Sequence, residues 1–422
     1  MPPRALLDLA TELLRSVLLF DAPADQLISQ FFRQHRALGQ RERHTLAETV
    51  YAILRERLKW QHLAQSGRGP LERRLLALAW TGNSGFLDAA LEPTERDWIA
   101  RARVAASQTL PESQRHNLPD WLAASLKAEV GEEAFWPLVQ ALAQSAALDL
   151  RVNTHKAKRE TVEAELQALG WRVSATPYSP WGLRLPGKPP VNRTPQFEQG
   201  DIEVQDEGSQ ILALLTEARR GEMVADFCAG AGGKTLALGA MMRNTGRLYA
   251  FDVSSHRLAA LKPRLARSGL SNVYPVAIAH ERDERIKRLS GKLDRVLVDA
   301  PCSGLGTLRR NPDLKWRHQP RAIEELVVKQ KAILASAARL LKPGGRLVYA
   351  TCSLLEAENE VIARDFEATV QGFERLDVAE LLTGLKVDGA AGLSRDGFLR
   401  LWPHLHGSDG FFAAVWRRVP AT

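Results

Sequence analysis

Cysteine and long apolar runs are scarce in this 422-residue chain. Its three cysteines, Cys228, Cys302 and Cys352, are too widely spaced for a disulfide framework or for the CxxC pattern of a zinc site. No apolar stretch is long enough to cross a bilayer, and charged residues such as Asp8 and Glu12 interrupt the N-terminal segment, which argues against a signal peptide. We therefore expect a soluble cytoplasmic protein that acts as a monomer and uses neither a membrane nor a metal ion.

The composition is that of a globular protein rather than a disordered one, with 45% hydrophobic and 25% charged residues. A chain of this length exceeds one ordinary hydrophobic core, so two or three domains are expected. The formal net charge is +8. This excess of positive charge suits a polyanionic partner, although it equally suits an anionic membrane surface or a solvated basic face.

Hydrophobic periodicity divides the chain into three predicted domains. Residues 1–140 carry Leu- and Ala-rich helical patterns, including a basic amphipathic helix at Thr45–Trp60 whose charged face is either solvated or directed at RNA. Residues 145–200 have the pattern of a small α+β module. Residues 201–422 alternate strands and helices, which predicts an α/β domain with a mostly parallel sheet and helices on both faces.

Ligands of such sheets bind at the carboxyl ends of the strands, and four predicted strand ends carry polar or reactive side chains. The first leads into the segment Asp226–Thr235, where Gly230, Gly232 and Gly233 allow a tight turn and a close approach of the backbone to a ligand. The turn resembles a phosphate loop, but the spacing of the Walker pattern is not met. Asp252 ends the next strand, where an acidic residue can bind ribose hydroxyls. Together the two segments predict a nucleoside cofactor.

The third and fourth strand ends lead into Asp299-Ala-Pro-Cys302-Ser and Thr351-Cys352-Ser. Either thiol alone is more often core filler than catalyst, but a pair at neighbouring strand ends calls for a chemical reason. A thiolate that adds to carbon 6 of cytosine makes carbon 5 nucleophilic enough to accept a methyl group, and a second residue nearby can assist the later elimination. Asp299, if protonated, would assist by hydrogen bonding to the ring nitrogen or protonating it.

These segments, in this order, resemble the catalytic domain of the Sun/RsmB-type RNA cytosine-5 methyltransferases over residues 204–417. The segments that carry the resemblance are Val204–Gln210, the Gly-rich segment 226–235, Asp252, Asp299–Gly304, Asn311–Trp316, Thr351–Ser353 and Asp409–Phe412. The resemblance implies a Rossmann-like fold and S-adenosylmethionine as the cofactor. It also implies that Cys352 is the nucleophile and that Cys302 promotes release of the product, with Asp299 as the third catalytic residue.

The cofactor-binding residues implied by the resemblance are Cys228, Ala229, Gly230, Ala231, Gly232, Gly233, Lys234, Asp252, Asp283 and Asp299. The loop departs from the usual Cys-Ala-Ala-Pro-Gly-Gly-Lys of the family, because Gly230 and Ala231 replace its central Ala-Pro. An acidic residue on the adenine side usually follows the third strand as part of a Gly-Asp pair. Here the spacing back from Asp299 favours His280, whereas Asp283 is the nearest aspartate.

The resemblance continues upstream. Leu150–Asn153 is similar to the small RNA-binding module that precedes the catalytic domain, and residues 1–125 resemble a NusB-like RNA-binding domain. The implied partner is RNA, and within the family the small-subunit (16S) ribosomal RNA is the expected substrate. Two alternatives remain: a transfer RNA cytosine-5 methyltransferase, and a catalytically inactive RNA-binding assembly factor.

A basic segment lies between Pro301 and Arg321. Its members are Arg309, Arg310, Lys315, Trp316, Arg317 and Arg321. Cations beside an aromatic ring can hold a phosphate backbone and stack on a displaced base, but Trp316 can equally well anchor the loop. His404 and His406 are too isolated to indicate a metal site.

Overall fold

The computed structural model describes residues 1–106 and 110–420. The chain forms two compact units, which are not continuous in sequence. The first comprises Met1–Gln144 together with Thr307–Pro320, and the second comprises Ser145–Gly306 together with the chain from Arg321 onward. None of the helices in the described ranges combines the length and the apolar composition that spanning a bilayer requires.

The first unit is helical. Its helices before the small sheet are α1 (Pro3–Val17), α2 (Ala24–Gln34), α3 (Gln40–Arg55), α4 (Arg57–Ala64), α5 (Leu71–Ala79), α6 (Ser84–Asp88), α7 (Pro93–Ala106), α8 (Glu112–His116) and α9 (Asp120–Ala143). The apolar positions of the periodic pattern, such as Leu46, Val50 and Ile53, form the core. The prediction of one continuous helix over Thr45–Trp60 is wrong. The backbone leaves the helical region at Glu56 (φ −119°, ψ 38°), which separates α3 from α4.

The second unit begins with a small antiparallel sheet of strand order β2-β3-β1-β4. Its elements are β1 (Leu148–Val152), α10 (Arg159–Ala168), β2 (Ser174–Ala175), β3 (Gly182–Leu185), α11 (Pro195–Glu198) and β4 (Ile202–Val204). Leu150, Val152 and Leu183 from the sheet pack on Val162 and Leu166 of α10. This arrangement gives the module a core of its own.

The larger sheet follows. Its strands are β5 (Met223–Asp226), β6 (Arg247–Asp252), β7 (Val273–Ala277), β8 (Leu293–Asp299), β9 (Leu341–Thr351), β10 (Phe373–Leu376), β11 (Ser394–Arg395), β12 (Phe398–Leu401) and β13 (Phe411–Arg418). The helices along this part of the chain are α12 (Glu207–Leu214), α13 (Gly233–Met241), α14 (Ser255–Ser268), α15 (Glu284–Lys287), α16 (Leu314–Arg317), α17 (Pro320–Ala338), α18 (Glu360–Thr369), α19 (Val378–Gly384) and α20 (Pro403–His406). Of these, α16 belongs to the helical first unit.

The strand order is β11-β12-β13-β9-β8-β5-β6-β7, with β10 paired to β13. Strands β5 to β9 run parallel, and the last four strands add antiparallel pairs. Side chains alternate between two cores, since Leu297 belongs to one face while Val296 and Val298 belong to the other. The fold class is thereby confirmed as a Rossmann-like α/β domain, preceded by a small α+β module and by a helical region that fits a NusB-like domain.

The order of the strands positions the site. Because β5 lies between β6 and β8, with β9 beyond β8, the carboxyl ends of four successive strands lie side by side at one edge of the sheet. These ends carry Asp252, Asp226, Asp299 and Thr351.

Candidate active site

The turn between β5 and α13 is fixed by buried polar contacts at its base. The carboxylate of Asp226 accepts a hydrogen bond from Thr235 Oγ1 at 2.7 Å. Burial raises the pKa of Asp226 to about 7, and the nearby Asp299 adds to the effect, while the bond from Thr235 opposes it. The carboxyl group that ends β5 thus sits close to its titration point at neutral pH.

Two glycines of the turn adopt backbone conformations that side chains rarely take, with φ of +55° at Gly230 and +83° at Gly232. A Cβ on Gly232 would lie 2.1 Å from Cδ1 of Leu261, a core residue of α14. Asp252 accepts from the amide of Gly230 at 2.8 Å and so ties the turn to the end of β6. Ser254 caps α14, which leaves Asp252 at the strand end where the sequence predicts a ribose-binding carboxylate.

Residues outside the predicted catalytic and cofactor-binding set hold the outer side of the turn. Arg264 donates to the carbonyl of Ala231 at 2.6 Å and pairs with Glu203 at 3.0 Å. Arg151 is buried and donates to the carbonyl of Gly233 at 2.6 Å. The small sheet, which carries Arg151 and Glu203, therefore helps to shape the predicted cofactor loop. No local pattern marks these residues, because their role depends on contacts between distant segments.

Lys234 and Asp299 form an ion pair, with Nζ 2.7 Å from Oδ2. Burial lowers the pKa of Lys234, but attraction to Asp299 outweighs this and leaves the pKa raised. Cys352 adds to the same rise, so the ammonium group lies within electrostatic reach of that side chain. Lys234, predicted only as part of the cofactor loop, is thus placed beside two of the predicted catalytic residues.

The two predicted catalytic cysteines lie in contact. Their Sγ atoms are 3.4 Å apart, and both side chains are half-buried. The hydrogen bond with Cys352, together with burial, raises the pKa of Cys302 well above its ordinary range. The contact thus disfavours a negative charge on both sulfurs at once, so one thiol of the pair keeps its proton while the other reacts.

The third cysteine has a different environment. Burial raises the pKa of Cys228 well above its ordinary range, and the carboxylates of Asp226, Asp299 and Asp252 raise it further. A thiol that stays protonated among three acidic side chains is a poor nucleophile. Cys228 is thus a small residue of the cofactor turn.

Both cysteine turns share one buried anchor, which the sequence analysis missed. Ser303 and Ser353 each follow a cysteine, and both donate to the carboxylate of Glu358, which is fully buried. The only signal in the sequence is that serine follows cysteine in both motifs.

Asp283, the predicted adenine-side residue, caps α15 and accepts from the amides of Arg285 and Ala279, each at 2.9 Å. These bonds lower its pKa. His280 is exposed on the same loop and accepts from the amide of Arg282 at 3.1 Å. Both residues follow β7. Binding of the adenine by Asp283, or by His280 in its place, stays a prediction.

The basic segment after the Cys302 turn is largely buried in the helical unit. Nε1 of Trp316 donates to the carbonyl of Leu54 at 2.8 Å, and Nζ of Lys315 donates to that of Arg55 at 2.7 Å. Burial lowers the pKa of Lys315 to about 7. These contacts favour the interpretation that Trp316 anchors the segment rather than stacking on RNA.

Comparison with known proteins settles the family. The family model described as 16S rRNA methyltransferase RsmB/F matches residues 213–417, and that of the RsmF/B-like ferredoxin-like domain matches residues 118–192. The probable ribosomal RNA small subunit methyltransferase B of Synechocystis sp. is 36% identical over 80% of this chain and 75% of its own length. This chain belongs to the RsmB/F methyltransferase family.

Two solved structures share the fold of this RsmB/F family member. The crystal structure of the protein PH0851 aligns with 99% of both chains, at a TM-score of 0.78 and 27% identity. A methyltransferase homologue from Pyrococcus horikoshii covers 73% of this chain and 97% of its own, at a TM-score of 0.62 and 29% identity. Both alignments place the Rossmann-like methyltransferase fold in this chain.

The cofactor of this RsmB/F family member is S-adenosylmethionine. The residues at the strand ends fit this cofactor. The turn after β5 is built from small residues and contains glycines at positive φ, and Asp252 lies at the end of β6. The glycine turn would lie against the methionine portion and Asp252 against the ribose hydroxyls.

Proposed function

We propose that this protein methylates carbon 5 of a cytosine in small-subunit ribosomal RNA through a covalent adduct on Cys352. The observation that carries the proposal is the 3.4 Å contact between the sulfur atoms of Cys302 and Cys352 at the ends of adjacent parallel strands. The names of the relatives, which are ribosomal RNA small subunit methyltransferases B and F, support the choice of RNA.

The proposed reaction starts with Cys352. Its thiolate adds to carbon 6 of the cytosine, and Asp299, in its protonated form, donates a proton to the ring nitrogen and so balances the charge that develops. Carbon 5 becomes nucleophilic and takes the methyl group, for which the bound cofactor is the electrophilic source. Lys234 contributes a fixed positive charge beside Cys352 and Asp299.

Release needs three further changes. The proton on carbon 5 must pass to a base, here solvent water, and the ring nitrogen must return its proton to Asp299. The bond between carbon 6 and the sulfur of Cys352 then breaks, which returns the thiolate. Cys302, protonated and in contact with Cys352, is the group proposed to promote this elimination. A base inside a structured RNA must also be unstacked before it reaches the crevice.

We further propose the division into a NusB-like domain (1–140), a small RNA-binding module (145–200) and a catalytic domain (201–422). In this arrangement the first two domains contact RNA, and the net charge of +8 supports binding to a phosphate backbone.

The test uses cofactor with a tritiated methyl group and total RNA from a strain that lacks the enzyme. We expect wild-type protein to label carbon 5 of a cytosine, and Cys352→Ala to lose labelling by at least about 10³-fold because the nucleophile is gone. Cys302→Ala should instead accumulate a protein–RNA adduct, seen as a shifted band on a denaturing gel. Cofactor binding by each variant controls for folding.

Labelling by Cys352→Ala would reject the covalent mechanism, and the absence of any adduct with Cys302→Ala would reject the role of that thiol in release. Fractionating the RNA distinguishes the substrates, since label in transfer RNA would favour the transfer RNA alternative. No label with any RNA would favour the inactive assembly factor. Bisulfite sequencing then identifies the cytosine.

A further inference from the structure

Glu358 is a buried carboxylate that has no part in the proposed chemistry. It lies between β9 and α18 and is 0% exposed. A charge removed from water is costly unless hydrogen bonds compensate for it, so a fully buried carboxylate beside the reacting groups requires an explanation.

The carboxylate receives four hydrogen bonds from neutral donors. Oε1 accepts from the amide of Ser303 at 2.8 Å and from Nε2 of Gln330 at 3.0 Å. Oε2 accepts from the hydroxyls of Ser303 and Ser353, both at 2.5 Å. Gln330 also donates to the carbonyl of Pro301 at 3.0 Å, which extends the network along the Cys302 turn.

The network joins the two cysteine turns at equivalent places. Ser303 follows Cys302 and Ser353 follows Cys352, and the two hydroxyl oxygens are 3.1 Å apart, close to the 3.4 Å that separates the two sulfurs. One carboxylate thus sets the spacing of both pairs. Short bonds to an ionised acceptor are stronger and more directional than bonds between neutral groups, which makes this junction rigid.

We propose that Glu358 is a positioning residue that holds the turns of Cys302 and Cys352 together, so that attack by one thiol and release through the other occur at a single point. This inference rests on the proposed function. The residue touches no reacting atom and acts only through Ser303 and Ser353. Displacing a reacting group by about 1 Å can lower the rate by roughly 10²-fold, so loss of this anchor should be visible in kcat.

Three variants separate the effects of position and charge. Glu358→Ala removes the anchor. Glu358→Gln keeps an acceptor for the Ser303 amide and for Gln330, and its own amide can donate to the two hydroxyls, so the geometry survives while the charge is lost. Glu356→Ala is the matched control, because this exposed neighbour pairs only with Arg364 among its described contacts.

The first measurement does not depend on catalysis. Diamide oxidises neighbouring thiols to a disulfide, and mass spectrometry quantifies the Cys302–Cys352 link over time. We expect wild type, Glu356→Ala and Glu358→Gln to form the link at similar rates, and Glu358→Ala to form it at least about 10-fold more slowly, since its thiols are no longer held in contact. Equal rates in Glu358→Ala and wild type would overturn the proposal.

The second measurement compares methyl transfer. Glu358→Ala should lose about 10²-fold in kcat with little change in KM for RNA, and Glu358→Gln should recover most of it. If Glu358→Ala does not fold, Ser353→Ala removes a single donor and should give a smaller loss in both measurements. Unchanged linking and kcat in Ser353→Ala would then count against the proposal. If wild-type protein transfers no methyl group but forms the disulfide at a rate that depends on Glu358, the proposed function is refuted and the positioning role of Glu358 is not.

A third measurement reports on the negative charge of the Glu358 carboxylate. Hydrogen bonding to Cys352 and burial raise the pKa of Cys302, and the negative charge of Glu358 adds to them. In a Cys352→Ala background, alkylation of Cys302 by iodoacetamide should therefore shift to lower pH when Glu358→Gln is added. An identical pH profile would show that the carboxylate is not charged beside Cys302, contrary to the network described above.

Discussion

At the scale of single residues, three thiols that look alike in the sequence differ in their surroundings. The contact with Cys352 and burial raise the pKa of Cys302, whereas burial among carboxylates raises the pKa of Cys228. Cys352, in contrast, lies within electrostatic reach of the Lys234 ammonium. These surroundings fit the proposed division between attack by Cys352 and release through Cys302.

Asp226 makes the stability of the second unit depend on pH. Burial raises its pKa from 3.8 to about 7, so the folded protein retains a proton that the unfolded chain releases. The stability that this provides is complete below about pH 4 and is lost as the pH rises through about 7. We expect Asp226→Asn, which keeps an acceptor for Thr235, to have a higher Tm than wild type at pH 8 and no advantage at pH 5. Differential scanning calorimetry measures both.

The exposed Asp388 of the same unit provides the control, because Asp388→Asn should leave the difference in Tm between the two pH values as it is in wild type. If Asp226→Asn shows the wild-type dependence on pH, Asp226 is not the buried titrating group described here.

At the scale of elements, the local patterns located most of the sheet. The structure contains all four predicted strands, which lead to Asp226, Asp252, Asp299 and Cys352. Such elements can be predicted because buried strands and amphipathic helices alternate along the sequence, each with its own hydrophobic pattern.

The pattern did not predict β7. Its sequence, Val273-Tyr-Pro-Val-Ala277, contains a proline that cannot donate to a sheet, and such a residue usually argues against a strand. The structure accommodates Pro275 because β7 is an end strand of the sheet.

The Glu358 network was also unpredictable, because its donors come from three elements whose contact depends on the complete fold.

Gly306 is hydrogen-bonded both to the Cys352 turn after β9 and to Gly410, the residue before β13. Its amide donates to the carbonyl of Cys352 and its carbonyl accepts from the amide of Gly410, both at 2.8 Å. A Cβ there would lie 2.1 Å from the carbonyl oxygen of Gly410, which is backbone and cannot move aside cheaply. We expect Gly306→Ala to displace the Cys352 turn and lower kcat by at least about 10-fold, with the Kd for the cofactor nearly unchanged. Steady-state kinetics and calorimetric titration measure the two quantities.

Gly392→Ala is the matched control, since a Cβ at that position meets nothing within 4 Å. Full activity in Gly306→Ala would mean that the backbone junction does not position Cys352.

At the scale of the whole molecule, the helical unit is completed by a segment from the other half of the sequence. Thr307–Pro320 belongs to it, and Trp316 packs on its core. No local pattern predicts that a loop between two strands of one sheet completes a different unit, because periodicity describes neighbours in sequence only. The basic residues of this loop suggested RNA binding, whereas several of them are buried.

Trp316 gives a direct test of this connection. We expect Trp316→Ala to destabilise the helical unit by about 2–4 kcal/mol, through lost packing and the lost bond to the Leu54 carbonyl. Trp316→Phe keeps an aromatic ring and should lose clearly less. Hydrogen exchange of the amides of α3 reports on this unit alone, and unchanged protection in Trp316→Ala would show that the segment is not part of it.

The divided first unit also has a consequence for synthesis on the ribosome. The chain from Met1 to Gln144 emerges first, but the segment that carries Lys315 and Trp316 follows only after the small sheet and strands β5 to β8 have been translated. Until then the carbonyls of Leu54 and Arg55 lack the partners that they have in the finished protein. The helical unit is therefore begun first but completed only after strands β5 to β8 have been made, and nascent chains stalled before residue 307 should be open to proteolysis near the end of α3.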